Sequence, residues 1–303
     1  MQEAPVLRPL SVGDIIDRVL RLLRANLVLI LGIAVLPALI VAVLERVFGL
    51  SQTFDLNDVG AALGTAGGGP VIPRQLQPAN PGAAFAVAII GVAVSIIQAA
   101  ALIEAIGQRY LGRTVTVREA YTRGLRSVPR LVLTGLLVVA VFAALVLVVI
   151  AAIVVLNSAV APAAAGITAG LSGLVGFFFF LPWAFLSLAV VGPAIVLEGL
   201  GPIAGIRRSF HLMDRSRLRA LGLYILMAII SSLLGLIFGV IFLASFVTEP
   251  TTRAVLQTIA NVASAAVSGP LIYGAIVLLY YDLRVRKEAF DLQLAAEALP
   301  REG

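Results

Sequence analysis

The sequence has no cysteine and a single histidine, His211, and both absences narrow what the chain can do. Without thiols there are no disulfides, no thiolate metal sites and no cysteine nucleophile. One histidine rules out a histidine-rich metal site and leaves a His-based triad a poor fit. Lysine is almost missing as well, with Lys287 standing beside 21 arginines. Charge of either sign is scarce, at 13% of 303 residues, where a soluble domain carries about 25%. No phosphate-cradling glycine loop, metal-ligand cluster or G-x-S-x-G elbow is found. These gaps imply no cofactor and no metal, and they speak against an enzyme.

What the chain does have is apolar length. Hydrophobic residues make up 60% of it and the mean hydropathy is +1.06. A soluble fold this apolar could not cover its surface with polar groups, so the bilayer has to be the solvent. Runs long enough to span, about 20 residues each, are expected at 26–48, 84–107, 131–156, 171–196, 221–247 and 259–281. The expected fold class is all-α integral membrane: six transmembrane helices in a single membrane domain over 1–303. The first run is longer than a signal peptide's apolar region and lacks a small-residue cleavage site, so it reads as a retained helix. Pro182 and Gly192-Pro193 in the fourth span, and Gly269-Pro270 in the sixth, predict kinks for packing, with a broken-helix substrate site of the transporter kind as the alternative.

The basic residues fall unevenly between the ends of these spans. Nineteen lie on one side and three (Arg46, Arg74 and Arg253) on the other. By the positive-inside rule both termini are cytoplasmic, with 284–303 a cytoplasmic tail. The same rule accounts for the net charge of +6 without a nucleic-acid partner. Arginine in place of lysine, with abundant Ala, Val and Gly, fits a bacterial genome of high GC content and a cytoplasmic-membrane location. The outer loop near 49–83 is rich in Gly, Pro, Asn and Gln and reads as extended; the loops near 157–170 and 248–258 are short.

The inner segments repeat. Ser11 and Asp14 have capping-box spacing, Thr116 and Glu119 repeat it 105 residues on, and Gly201-Pro202 takes the corresponding place after a further 85. Three amphipathic helices result. Their aligned apolar columns are Ile16/Tyr121/Ile206, Leu20/Leu125/Phe210 and Leu23/Val128/Met213. Their basic columns are Arg18/Arg123/Arg208 and Arg21/Arg126/His211. In the first helix the charges occupy a sector of about 120°. This predicts three copies of surface helix plus transmembrane hairpin, at about 8–107, 114–196 and 201–283. The surface helices would lie on the inner leaflet, with Arg18, Arg21, Arg123, Arg126 and Arg208 as contacts for anionic headgroups.

Glu104, Glu198 and Asp282 lie near the inner ends of the even-numbered spans, one per copy. Acids at that depth are costly, and pairing with arginines such as Arg109 or Arg284 is the simpler expectation. Glu45 and Arg46 read as interfacial at the outer end. Ser172/Gly176 and Gly235/Gly239 have small-xxx-small spacing, expected to pack within the bundle, with dimerisation as the alternative. The run Phe177 to Phe180 and Trp183 read as lipid or core contacts.

The opening RPLSVGDIIDRVLRLLRAN, the inner IRRSFHLMDRSRLRALG and the closing LYYDLRVRKEAFDLQL resemble the bacterial glycerophosphoryl diester phosphodiesterase membrane domain family. That resemblance implies a helical membrane domain without the catalytic barrel some relatives carry, and brings no catalytic residues. Mitochondrial carriers also have three repeats of about 100 residues, but their Pro-x-acid-x-x-base signature is missing.

The leading expectation is a noncatalytic protein that binds or organises lipid or envelope components. A protein partner or a homo-oligomer is left open. The rival is a small-solute or lipid transporter, which would show a polar path lined by Ser231, Ser232, Asn261, Ser264 or Ser268; a dry centre would favour the first reading.

Overall fold

A computed structural model describes residues 9–48, 80–158, 173 and 181–293. Most of the 49–83 loop with Arg74, the 159–170 loop, the Ser172/Gly176 pair, the 177–180 phenylalanines and residues 294–303 lie outside the described residues. The described residues are helical, without strands, and six of their segments are long and apolar enough to cross a membrane. The chain is an all-helical, multi-pass membrane protein.

Helix α1 (Val12–Ala25) starts where its capping box predicts. The Asp14 N–H donates to Ser11 Oγ at 3.1 Å, and the Ser11 N–H donates to Asp14 Oδ2 at 2.9 Å. α2 (Leu27–Val47) leads away from it, and α3 (Pro81–Tyr110), capped by Asn80, leads back. The second capping box, Thr116 with Glu119, opens α4 (Val117–Leu125). α5 (Val128–Ser158) is the third span; α6 (Leu181–Ser187) and α7 (Val191–Glu198) together make the fourth. Gly201 caps α8 (Pro202–Met213), with Pro202 in the first turn, where its missing N–H costs nothing. α9 (Arg217–Ser245) and α10 (Pro250–Glu288) close the bundle.

Three expectations are corrected here. Over its described residues 181–198 the fourth span is not one kinked helix, because α6 and α7 are separated at 188–190. Pro193 has no N–H for the Ala189 carbonyl and its ring crowds that carbonyl. The chain therefore tightens at 188–190, where Leu188, Ala189 and Val191 donate to carbonyls three residues back. The sixth helix is longer than its apolar run at both ends. It begins at Pro250, inside the expected 248–258 loop, and continues through 284–288 of the expected tail, because no helix breaker stands at either edge of the hydropathy. At 1.5 Å per residue its 39 residues reach about 58 Å, well beyond a hydrocarbon core of about 30 Å.

The third correction concerns α1. Its apolar face is not free to enter lipid, since Ile15, Ile16, Val19 and Leu23 are buried in the protein core. That core is concentrated at the arginine-rich end and includes Leu10, Ala100 to Ile106, Leu212, Met213, Val277 to Tyr280 and Leu283. Each short helix packs on the closing helix of a hairpin: α1 on α10, α4 on α3, and α8 on α7. The approaches are close. A Cβ at Gly274 would sit 2.9 Å from Val19 Cγ1, and one at Gly124 would sit 2.9 Å from the Ala100 backbone.

The buried positions common to the three short helices are Ile15/Ala120/Gly205 and Val19/Gly124/Ser209. They lie one residue before two of the expected apolar columns, and Leu125 of those columns is exposed. Bulk was the wrong guide, because α4 and α8 bury small residues so that backbones can meet. Tyr121 has a polar task as well. Pro37, inside α2, cannot bond the Ile33 carbonyl, and the Tyr121 hydroxyl donates to that oxygen at 2.8 Å.

Among the described residues the Gly235/Gly239 pair is not packed in the bundle, for none of them lies within 4 Å of a Cβ at either position. α9 and α5 instead present bare apolar faces, including Leu236, Val240, Val139 and Val148, as expected where lipid is the neighbour.

Candidate functional site at the arginine-rich end

All three predicted acids are engaged, and the networks of Asp282 and Glu198 meet on the last turns of α10. Asp282 has a fully buried side chain. It accepts from Arg286 Nε at 3.0 Å and from the Leu10 N–H at 2.7 Å, and it pairs with Arg219 Nη1 at 3.1 Å. Arg219 and Arg286 also donate to the Leu10 carbonyl, so both backbone groups of Leu10 are held. A buried carboxylate is tolerated only when it is this fully satisfied.

Glu198, at the end of α7, accepts from Arg208 Nε at 3.0 Å and from the Tyr280 hydroxyl. Arg208 also pairs with Glu288, which Arg284 reaches at 3.2 Å. Glu104 on α3 accepts from Gln108 Nε2 at 3.0 Å and has Arg123 of α4 at 3.8 Å. Arg284 therefore pairs with acids as expected, whereas Arg109 donates to the Val115 carbonyl instead. Glu288, Arg219, Tyr280 and Leu10 were not singled out from the sequence. Glu288 carries a signal, since it stands four residues after Arg284 on a helix.

The five arginines expected at headgroups divide. Arg208 is committed to Glu198 and Glu288, and those hydrogen bonds, led by Glu288, hold its guanidinium above its ordinary pKa against the cost of partial burial. Its place is in the protein's own network. Arg18 donates to the Tyr110 hydroxyl at 3.2 Å. Arg123 is half-exposed beside Glu104. Arg21 is exposed with Asp17 as its partner, and Arg126 is exposed. Arg24, Arg118 and Arg207 are exposed at the same end. Large apolar side chains share this surface, with Leu125, Ile203 and Leu218 all exposed. At the opposite end Arg46 donates to Thr258 Oγ1 at 3.2 Å.

Of the residues expected along a polar path, Asn261 and Ser232 are exposed, and Ser231 Oγ is buried with no partner among the described residues. A cavity of about 280 Å³ lies elsewhere, between α5, α6 and α8. Its surface is wholly apolar, from Leu137, Val141 and Leu145 of α5, Trp183 of α6, and Ile203 and Phe210 of α8. Arg207 lines it through its aliphatic stem. Among the described residues no group of His, Cys, Asp or Glu is placed to hold a metal ion.

Neither the curated proteins nor the solved structures contain a match to this chain. A family model does match, over α3 to α10 and more than half of the chain, leaving α1 and α2 ahead of it. With residues 82–283 matched, the chain belongs to the family described as domain of unknown function DUF7847.

Proposed function

We propose that this chain is a noncatalytic protein of a bacterial cytoplasmic membrane that binds or organises lipid or envelope components, its arginine-rich end facing anionic headgroups in the cytoplasmic leaflet. The observation that carries this is the surface of that end, where Arg21, Arg24, Arg118, Arg126 and Arg207 are exposed together with Leu125, Ile203 and Leu218. Guanidinium groups beside bare apolar side chains suit the plane where headgroups meet acyl chains. The apolar stripe of α1 is taken by protein, whereas α4 and α8 keep Leu125 and Ile203 exposed beside their arginines.

The same proposal treats 8–107, 114–196 and 201–283 as copies of one unit. It is supported by N-caps at Ser11, Thr116 and Gly201, and by the cyclic seating of each short helix on a neighbour's closing helix. Kinship with the glycerophosphoryl diester phosphodiesterase membrane domain belongs here too, supported by the three short motifs named above.

The test uses the full chain in nanodiscs of mixed phosphatidylglycerol and phosphatidylcholine, with retained lipid counted by native mass spectrometry. Phosphatidylglycerol should be enriched around the protein, and the Arg21→Gln/Arg126→Gln variant should lose part of that enrichment. Equal retention of both lipids would sink the reading. Reporter fusions within 49–83 and at the C-terminus should report opposite compartments.

One observation favours the transporter alternative. The fourth span is broken at 188–190, and broken helices form midplane sites in transporters. Lipid scrambling or solute uptake by proteoliposomes, lost on Pro193→Ala, would move the balance to it.

A further inference from the structure

We infer that the cavity between α5, α6 and α8 seats one acyl chain of an anionic phospholipid whose phosphate pairs with Arg207. This narrows the anionic-lipid reading to one position and rests on it. The shape suits a chain rather than a compact solute. On α5 the lining runs from Leu137 to Leu145, about 12 Å along the helix axis and close to the hydrocarbon depth of one leaflet. The volume, about 280 Å³, is at the lower bound of ordinary ligand pockets, and no polar atom lines it. A solute with hydrogen-bonding groups would find nothing to satisfy them there.

Charge supplies the second half of the match. Arg207 and Arg208 are neighbours in sequence with opposite fates. Arg208 is locked between two carboxylates, whereas Arg207 is exposed and has no acidic partner among the described residues. Arg207 lines the apolar slot without contributing polar surface to it, and the residue is itself exposed. His211, one turn further along α8, is exposed on the same side. An apolar slot beneath a free cation is complementary to an amphiphile with a negative head.

The slot is preformed. Trp183 meets Phe210 edge-on at 5.8 Å, and the Arg217 guanidinium lies 5.0 Å over the Trp183 ring. Arg217 Nε donates to Ser187 Oγ, and Ser209 Oγ donates to the Ser187 carbonyl, each at 2.8 Å. These bonds fasten α6 to α8 and α9. The α5 side remains open, with Leu137 and Val141 exposed on a span surrounded by lipid. The occupant enters sideways from the bilayer.

Trp183 is the sole tryptophan of the chain and forms part of the wall, so it reports occupancy directly. The full chain is reconstituted in phosphatidylcholine vesicles containing a small, equal fraction of acyl-brominated phosphatidylglycerol or phosphatidylcholine. Brominated phosphatidylglycerol should quench Trp183 with about a fivefold preference, the worth of one arginine near an anionic surface. Arg207→Gln should bring the two curves together. Val138→Phe, which fills the slot from α5, should do the same with Arg207 intact. Coincident curves in the unaltered protein, or a preference that survives both substitutions, would overturn the assignment. So would tight quenching by a brominated fatty acid without any by phosphatidylglycerol. If nanodiscs retain phosphatidylglycerol while Trp183 does not distinguish the lipids, the slot is wrong and the wider reading stands; if neither shows a preference, both fall.

Discussion

α9 and α10 are the two arms of one hairpin, similar in helicity, and they meet their surroundings in opposite ways. α9 turns Leu233, Leu236, Ile237, Val240 and Leu243 outward, and few of its residues are buried. α10 buries Ala254, Ala260, Ala266, Leu271 and Ala275, then the continuous run from Val277 to Leu283. Hydropathy does not separate the arms by role. Small residues do, since they let α10 approach its neighbours closely enough for dispersion to hold the bundle where no hydrophobic force acts between helices in lipid. The polar end of α10 then adds charge pairs, one of them to Arg219 in the first turn of α9. Cohesion in this molecule is a property of one end and one central helix, while the bare helices serve as its boundary with lipid.

The largest effect expected along that gradient is at Asp282. Asp282→Ala strands two guanidiniums and the Leu10 N–H, and should cost about 3–5 kcal/mol, read as a fall in the thermal midpoint in detergent. Gly124→Val places a side chain against the Ala100 backbone and should cost about 1–3 kcal/mol by the same measurement. Tyr121→Phe, which orphans the Ile33 carbonyl freed by Pro37, should cost a similar or slightly smaller amount. Thr116→Ala removes the α4 cap, for about 1 kcal/mol. At the other extreme Leu236→Ala, on the bare face of α9, should change stability by less than about 0.5 kcal/mol. A large loss there would mean that α9 is covered by a partner, and the contrast between the arms would need redrawing.

The capping box of α4 carries a pH signature. The Thr116 backbone N–H, with its hydroxyl, holds the Glu119 carboxyl below its ordinary value of 4.5. A depressed folded-state value means the contribution is complete above the ordinary value and is lost as the pH falls through the lower one. The wild-type advantage over Glu119→Gln should therefore shrink on acidification below pH 4.5 in melting experiments.

The spans and caps were legible because each is a local property of the chain. A run of apolar residues has only one solvent in which it is stable, Ser11 and Thr116 mark helix starts through bonds to residues three positions away, and Pro202 marks one by its fixed φ and missing N–H. The acids at the ends of the even spans were legible for a related reason, since a carboxylate at that depth requires a partner. The choice of partner was not. Asp282 takes Arg219 and the Leu10 backbone, and no spacing in the sequence encodes either. The buried faces of α4 and α8 were read one residue out, because Ala120, Gly124, Gly205 and Ser209 are selected for what they leave empty, and periodicity weighs only what is present. The apolar cavity was invisible for the same reason, being made from three separate helices. Trp183 was singled out, but as a lipid or core contact.

The hydrogen bond between Leu10 and Asp282 spans 272 residues. Since synthesis runs from the N-terminus, α1 emerges with its apolar stripe ready long before α10 exists to receive it. Until then the stripe must be shielded by something else, and the bilayer surface or a chaperone is what a nascent membrane chain has to hand. Assembly thus closes late, with the last helix seating the first of the described ones. A ribosome stalled before α10 would leave α1 unseated, with an exposed apolar face that quality-control proteases could recognise.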